Sequence, residues 1–400
     1  MDDANLRRKI IEYVLNNTRI FKNNDLDISE VGDGNVNYIY KITDGKKSVI
    51  VKFSDDYIRG STTRKLSSAR SKIESEILQK QFELSNGLAP EVYSYSEENS
   101  FIVMEDLSDY KVFRESLKNK EILFKDFGTE MAKFLYNTLF KTTDLVMDIK
   151  SKKETVARFV NYDMCEISER LVFTEPYMNN QGLNSYSNEN EEFIKKEFYN
   201  DPKMKYEVAK LRNLFMTKSE SMIHGDLHSG SIFVNEKGLK VFDPEFAFYG
   251  PMGYDIGNII ASLMISYVVN YYENDKKDNK FSGWIKETIL SIIENYIKIY
   301  NENYSKDVNT YMFDNEDFKK YYLTQVLRET SGYAGTEIIR RTIGVAKVWD
   351  IERVLEKEYY SDIEKDLLVI GKKLVMNSDK FYSRESYTEL IENIGVEYGN

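Results

Sequence analysis

The chain has 400 residues and a mass of 46.9 kDa, a length that suits roughly two to three lobes and not one small module. With 42% hydrophobic, 14% aromatic and 30% charged residues, and only 5 prolines and 20 glycines, it is able to bury sizeable cores and is neither disordered nor fibrous. A formal net charge of −11 opposes a nucleic-acid or anionic-membrane partner, which needs a basic face.

The start, MDDANLRRKIIEYVLNN, is acidic and then amphipathic, without the apolar run of a signal peptide. Residues 27–32, 37–43 and 48–54 read as short strands, β-branched or aromatic, separated by the glycine turns GDGN at 32–35 and TDGK at 43–46. Residues 61–84 switch to helical spacing, with Leu66, Ala69, Ile73, Ile77 and Leu78 recurring at three and four. Strands at 90–95 and 100–105 follow, so the first hundred residues amount to strands around one helix. From Tyr110 onward amphipathic helices dominate, at 125–142, 155–170, 190–216, 252–270, 282–304, 316–331 and 363–376. The polar segment 177–190 reads as a surface loop, and SIFVNEKGLKVFD within 222–248 as a tight hairpin. The expected fold class is α+β, with a small β-rich lobe at 1–107 and a larger, mainly helical lobe at 108–400 that carries the hairpin. No stretch reaches the ~18 apolar residues of a membrane span. The best, 259–269, is interrupted by Ser262 and Ser266. The single cysteine, Cys165, excludes an internal disulfide or a cysteine-cluster metal site and suits a reducing cytosol.

Both histidines of the chain, His224 and His228, fall in the string MIHGDLHSGSIFVNEKGLKVFDPEFAFYGPMGYDIGN. Asp226 follows a short apolar run and precedes the hairpin, which puts it on a loop at a strand end. Asp243 ends the hairpin's second strand, followed by Pro244 and Glu245. A hairpin returns the chain on itself, so Asp226 is expected to share one cleft with Asp243 and Glu245. Such carboxylates suit phosphoryl transfer: one orients the attacking hydroxyl and accepts its proton, and two hold Mg²⁺ on the phosphates. Zinc on His224 and His228 is the rival reading. Their i, i+4 spacing needs a helix, which Gly225 and Gly230 oppose. Lys52, in VIVKFS, is costly between apolar neighbours unless paired, so it is expected to meet phosphates and a carboxylate from the following helix. Spacing leaves Glu74 and Glu76 open as that partner.

HGD followed by a hairpin and an aspartate resembles the catalytic loop of the aminoglycoside phosphotransferases within the two-lobed protein-kinase-like fold. The finer wording, HGDLHSGSIFV and then DPEFAFYGPMGYDIGN, resembles the S-methyl-5-thioribose kinases, whose metal motif is DPE and not DFG. The resemblance implies ATP- and Mg²⁺-dependent phosphorylation of the 1-hydroxyl of methylthioribose, giving S-methyl-5-thioribose 1-phosphate in methionine salvage, by a cytoplasmic homodimer. It implies Asp226 as the catalytic and substrate-orienting residue, Asp243, Pro244 and Glu245 as the metal–nucleotide motif, and Asn35 in GDGNVN as a nucleotide contact. By family position Glu74 partners Lys52. FIVMEDLSDY at 101–110 is implied to end in an adenine-binding hinge, with Glu105, Asp106 and Leu107 acting through main chain. The twin Arg340 and Arg341 is implied to contact the sugar hydroxyls beside Asp226. Two departures stand out. Ser231 occupies the position, five after Asp226, that is asparagine in protein kinases and many phosphotransferases, which shifts expected metal ligation onto Asp243 and Glu245. The loop SDDYIRGSTTRKLS after Lys52 lacks the tryptophan that family members carry there. The rival functions are a kinase of the same fold for an aminoglycoside, choline or homoserine, and a non-catalytic nucleotide-binding protein.

Overall fold

The computed structural model describes residues 3–22, 24–31, 37–54 and 69–394 of the chain. Strands β1 (Asp27–Glu30), β2 (Tyr38–Thr43), β3 (Ser48–Phe53), β4 (Val92–Ser96) and β5 (Phe101–Glu105) form one antiparallel sheet in the order β1-β2-β3-β5-β4. The pleat sends alternate side chains to opposite faces. Tyr40, Ile42, Val49, Val51, Phe101 and Val103 pack against Leu6, Ile10 and Val14 of helix Asp3–Asn17. Ile50, Ile102 and Met104 lie on the other face, against Leu78 of helix Ala69–Ser85. The amphipathic start is therefore a second helix of this sheet, where one was expected; its apolar residues recur every four positions and bury a single stripe. By the same alternation Lys52, opposite Ile39 and Ile102 in the ladder, shares the face of Ile50 and not that of Val51.

Five shorter strands follow: β6 (Lys111–Val112), β7 (Ser221–Ile223), β8 (Ile232–Asn235), β9 (Gly238–Val241) and β10 (Phe248–Gly250). The expected hairpin is β8–β9, with Asn235 opposite Gly238, and β7 pairs with β10. Around them, helices Gly253–Glu273, Glu316–Ile343 and Tyr360–Met376 pack in succession, and Lys280–Asp307 lies along Phe127–Leu139. The second and third of the first set cross closely: a Cβ on Gly335 would sit 2.5 Å from the Gly371 carbonyl oxygen.

Two expected helices are broken. The one at 155–170 divides into Ile149–Arg158 and Tyr162–Ser168, with Asn161 buried in the break. The one at 190–216 divides before Pro202, which suits a first helical position and not an interior one. Pro202–Thr217 starts afresh, with Asp201 accepting from Lys203 N–H and Met204 N–H. The 316–331 helix instead continues to Ile343 and carries Arg340 and Arg341 in its last turn. Segment 177–190 is a surface loop only in part, since it opens in helix Glu175–Met178 and buries Tyr177 and Asn190. Among the described residues no helix is long and apolar enough to cross a membrane.

Candidate active site

Strand β7 ends at Ile223, and the loop after it is held by the helix Gly253–Glu273. Asp255 accepts from His224 N–H at 2.6 Å and Gly225 N–H at 3.0 Å, and Ser262 Oγ accepts from Ser229 N–H at 3.1 Å. Gly225 has φ +84°, and a Cβ there would lie 2.3 Å from the Phe246 carbonyl oxygen, so glycine is required twice over. His224 Nε2 donates to the Phe242 carbonyl at 2.9 Å, tying this loop to the Asp243 segment. Burial pushes the His224 imidazole below its ordinary range and keeps it neutral. Residues 224–228 are not helical, so the two histidines lack the arrangement that an i, i+4 zinc pair uses. Ser231 Oγ accepts from His228 N–H at 3.0 Å and lies 3.0 Å from the Asp226 carbonyl oxygen. The serine found in place of asparagine thus serves the backbone of its own loop.

Asp255→Asn tests the loop's anchor. The amide turns an NH₂ group toward one of two backbone donors and leaves that buried N–H unsatisfied, at a cost of about 1–3 kcal/mol. The urea midpoint and kcat are expected to fall together; an unchanged midpoint and rate would remove Asp255 from this role.

Asp226 sits on this loop with 26% of its side chain exposed. Its Oδ1 accepts from Arg340 Nη2 at 3.2 Å and Arg341 Nη2 at 3.1 Å. Adjacent helical residues diverge by about 100°. Both guanidiniums nevertheless reach one oxygen, because buried Glu337, one turn back, takes Arg340 Nε at 2.6 Å and Arg341 Nε at 2.7 Å. Burial opposes ionisation of Asp226, but His228, Arg341 and Arg340 hold its carboxyl well below the ordinary range. Glu337 likewise ionises against burial, under Arg340 and Arg341. Glu337 stands outside the motifs that mark the site in the sequence, although its i, i+3 and i, i+4 spacing from the arginines on one helix is a usable signal.

A cleft of about 480 Å³ is walled by Ile39, Ile50, Met104, Phe233 and Phe242. Lys52, Glu74, Asp243 and Glu245 also line it, as do Glu105, Asp106 and Leu107. Lys52 Nζ donates to Glu74 Oε1 at 2.7 Å and contacts Asp243 Oδ1. Glu76 pairs with Arg158 at 3.2 Å instead, so geometry separates the two carboxylates that spacing left open. Burial works against the Lys52 ammonium, but Asp243, Glu74 and Glu245 outweigh it and hold its pKa above the usual lysine range. Asp243 is ionised against burial chiefly by Lys52, whereas burial and then Asp243 push the Glu245 carboxyl up.

Asp243 was expected to end the hairpin's second strand, but β9 stops at Val241. The φ of Asp243 is +65°, so Asp243 and Glu245 line the same cleft through a bend in the chain. Asn161, from the broken helix, sets that bend by donating to the Glu245 carbonyl at 2.8 Å and the Ala247 carbonyl at 3.1 Å. Between the two acids, Pro244 is buried and its carbonyl accepts from Ala247 N–H at 3.1 Å. Buried Arg70 lies with its Nε 3.7 Å from Glu245 Oε2. Asn37 bridges the pair, accepting from Arg70 Nη2 at 2.9 Å and reaching Glu245 Oε2 at 3.5 Å. Asn37 closes the GDGNVN string singled out from sequence; Arg70 and Asn161 carried no local signal, because each meets its partner across a long stretch of chain. Asn35 and the loop at 55–68 lie outside the described residues.

Both acidic side chains of the 105–107 segment are committed within the protein. Lys240 Nζ is 2.5 Å from Glu105 Oε2. Asp106 Oδ2 meets Ser48 Oγ at 2.5 Å and Lys41 Nζ at 2.7 Å. Against its burial, Lys41, Ser108 and Ser48 push the Asp106 carboxyl down to about 2.

Carboxylates and a buried lysine lining an apolar cleft, together with an aspartate held by an arginine pair, are the parts of a phosphotransferase. The profile of the phosphotransferase enzyme family matches residues 181–284, the stretch that includes Asp226, Asp243 and Glu245. The protein is a small-molecule kinase with the two-lobed kinase-like fold. A methylthioribose kinase of Bacillus cereus (strain 03BB102) is 35% identical over 371 residues, 92% of each chain. One of Bacillus anthracis is 34% identical over the same shares. The chain belongs to the methylthioribose kinase family. Among solved structures it is similar to a choline kinase from Cryptosporidium parvum, with TM-score 0.47 and 11% identity over 97% of each chain. It is also similar to a spectinomycin phosphotransferase, with TM-score 0.46 and 13% identity over 91% of this chain and 97% of that one.

Proposed function

We propose that this chain transfers the γ-phosphoryl group of ATP to the 1-hydroxyl of 5-methylthioribose, giving S-methyl-5-thioribose 1-phosphate in methionine salvage. One observation carries this reading: a chain 35% identical to a methylthioribose kinase holds Lys52, Asp243 and Glu245 in one cleft, with Asp226 under Arg340 and Arg341 nearby. The apolar walls suit adenine, with the main chain of Glu105, Asp106 and Leu107 as the hinge and Asn35 as a further nucleotide contact. Lys52, steadied by Glu74, meets the phosphates. Asp243 and Glu245 fit a divalent cation: they are hard oxygen donors on one cleft, and a cation would relieve the repulsion that raises Glu245. When bound, Mg²⁺ neutralises charge on the phosphates. Asp226, held ionised, orients the attacking hydroxyl and takes its proton as the new O–P bond forms. Arg340 and Arg341 donate to the sugar oxygens and to the migrating phosphoryl group. Residues 1–107 serve as the nucleotide lobe and 108–400 as the acceptor lobe of a cytoplasmic homodimer, with neither nucleic acid nor membrane as a partner.

Coupled ADP release across methylthioribose, choline, homoserine and an aminoglycoside tests the acceptor. Turnover with methylthioribose is expected to exceed the others by at least about 10²-fold, since a site built to bond particular hydroxyls rejects an acceptor lacking them by more than that. A better rate with any other acceptor would reassign the substrate, and no ADP release with any would favour a non-catalytic role. Sedimentation at twice the chain mass of 46.9 kDa checks the dimer.

A further inference from the structure

We propose that His228 is a positioning residue for Asp226, oriented by its own loop so that Nδ1 takes Gly230 N–H and Nε2 is turned toward the carboxylate oxygen that the arginines leave free. This rests on the proposed role of Asp226 as acceptor of the substrate proton. Gly230 N–H donates to His228 Nδ1 at 2.8 Å. A backbone N–H only donates, so Nδ1 presents its lone pair and the ring proton is on Nε2. Nε2 lies 3.4 Å from Asp226 Oδ2, whereas Arg340 and Arg341 both bind Oδ1. Contacts at catalytic groups are often this long before substrate is bound.

The ring's place is built. A Cβ on Gly230 would lie 2.5 Å from His228 Cε1 and 2.8 Å from Nδ1, so only glycine leaves room for it. Ser231 Oγ holds the His228 backbone N–H at 3.0 Å, and 19% of the His228 side chain is exposed. Two consequences follow. Each oxygen of Asp226 faces its own nitrogen neighbours, from the helix Glu316–Ile343 at Oδ1 and from its own loop at Oδ2. A proton on Nδ1 would oppose Gly230 N–H, so the ring proton stays on Nε2, the nitrogen nearer Asp226.

Two substitutions separate this role from loop capping. His228→Asn keeps an acceptor near Nδ1 for Gly230 N–H and removes the donor toward Asp226. His228→Gln keeps a donor near Nε2 and gives up the cap. His228→Asn is expected to lower kcat about tenfold to a hundredfold, the usual worth of a hydrogen bond to a charged group, with KM for ATP unchanged. His228→Gln is expected to recover most of that loss. In an Asp226→Asn background, His228→Asn should change kcat less than threefold, because the group it acts through is already altered. A normal His228→Asn enzyme, or equal losses in the two variants, overturns the proposal. If Asp226→Asn itself turns over at a near-normal rate, the role of Asp226 fails and the positioning role fails with it. An impaired Asp226→Asn enzyme beside a normal His228→Asn enzyme sinks the positioning role alone.

Discussion

Asp226→Asn is expected to lower kcat by about 10²–10⁴, the range for a lost general base, while Mg·ATP still binds. The substitution keeps the size of the side chain and removes its charge. Glu337 still neutralises much of Arg340 and Arg341 through their Nε groups, so the arginine pair stays in place and the loss is confined to the proton acceptor. The wild-type pH profile carries the same signature. With the carboxyl held well below its ordinary range, Asp226 stays ionised as pH falls toward about 4, the usual aspartate value. An acid limb of kcat near pH 6 would therefore belong to another group. The sign for stability agrees. A depressed folded-state pKa stabilises the fold above the unfolded value of about 3.9 and loses that contribution as pH falls through the folded value. The asparagine variant lacks that acid-dependent part. Steady-state kinetics decide the matter: turnover within tenfold of wild type would remove Asp226 from the role.

Asp243→Ala is expected to cost about 10²-fold or more in kcat, because the cation that Asp243 is proposed to hold would supply several kcal/mol of charge stabilisation. It also strips Lys52 of one of its two direct carboxylate contacts among the described residues, leaving Glu74 as the other. Nucleotide binding should therefore weaken even without metal, and more steeply with it. Glu245→Ala removes the other oxygen donor but keeps the Lys52 contacts, so it is the milder change and the one that raised Mg²⁺ rescues in part. Calorimetry on both variants is the check, since unchanged Mg·ATP affinity in the two would strip Asp243 and Glu245 of the metal role. Their unequal behaviour without metal would trace to Lys52, which touches Asp243 and not Glu245.

Much was legible in the chain because it was local. Alternation placed Lys52 on a strand. The Asn235–Gly238 turn closes where the hairpin was expected. The HGD string falls on the loop after β7, whereas the helix expected at 316–331 runs on to Ile343 and takes Arg340 and Arg341 into its last turn. Periodicity and turn chemistry are short-range, so a single sequence displays them.

What the sequence by itself determined is therefore the carboxylates on a loop and a hairpin end and the lysine on a strand, whereas the arginine pair entered only through the family resemblance. The tertiary structure decided partners that spacing left open. It joins Lys52 to Glu74, the residue the family resemblance implied, and turns Glu76 to Arg158. It turned Ser231 inward to its own loop, and it recruited Arg70, Asn37 and Asn161 to hold the Glu245 segment, which no local spacing connects to them. The left-handed Asp243 was beyond local reading too, since that conformation is unfavourable for an aspartate in isolation. Buried charge must find a counter-charge or a hydrogen bond. Which one it finds depends on segments brought together only when the sheet, the hairpin and the long helices close on one another.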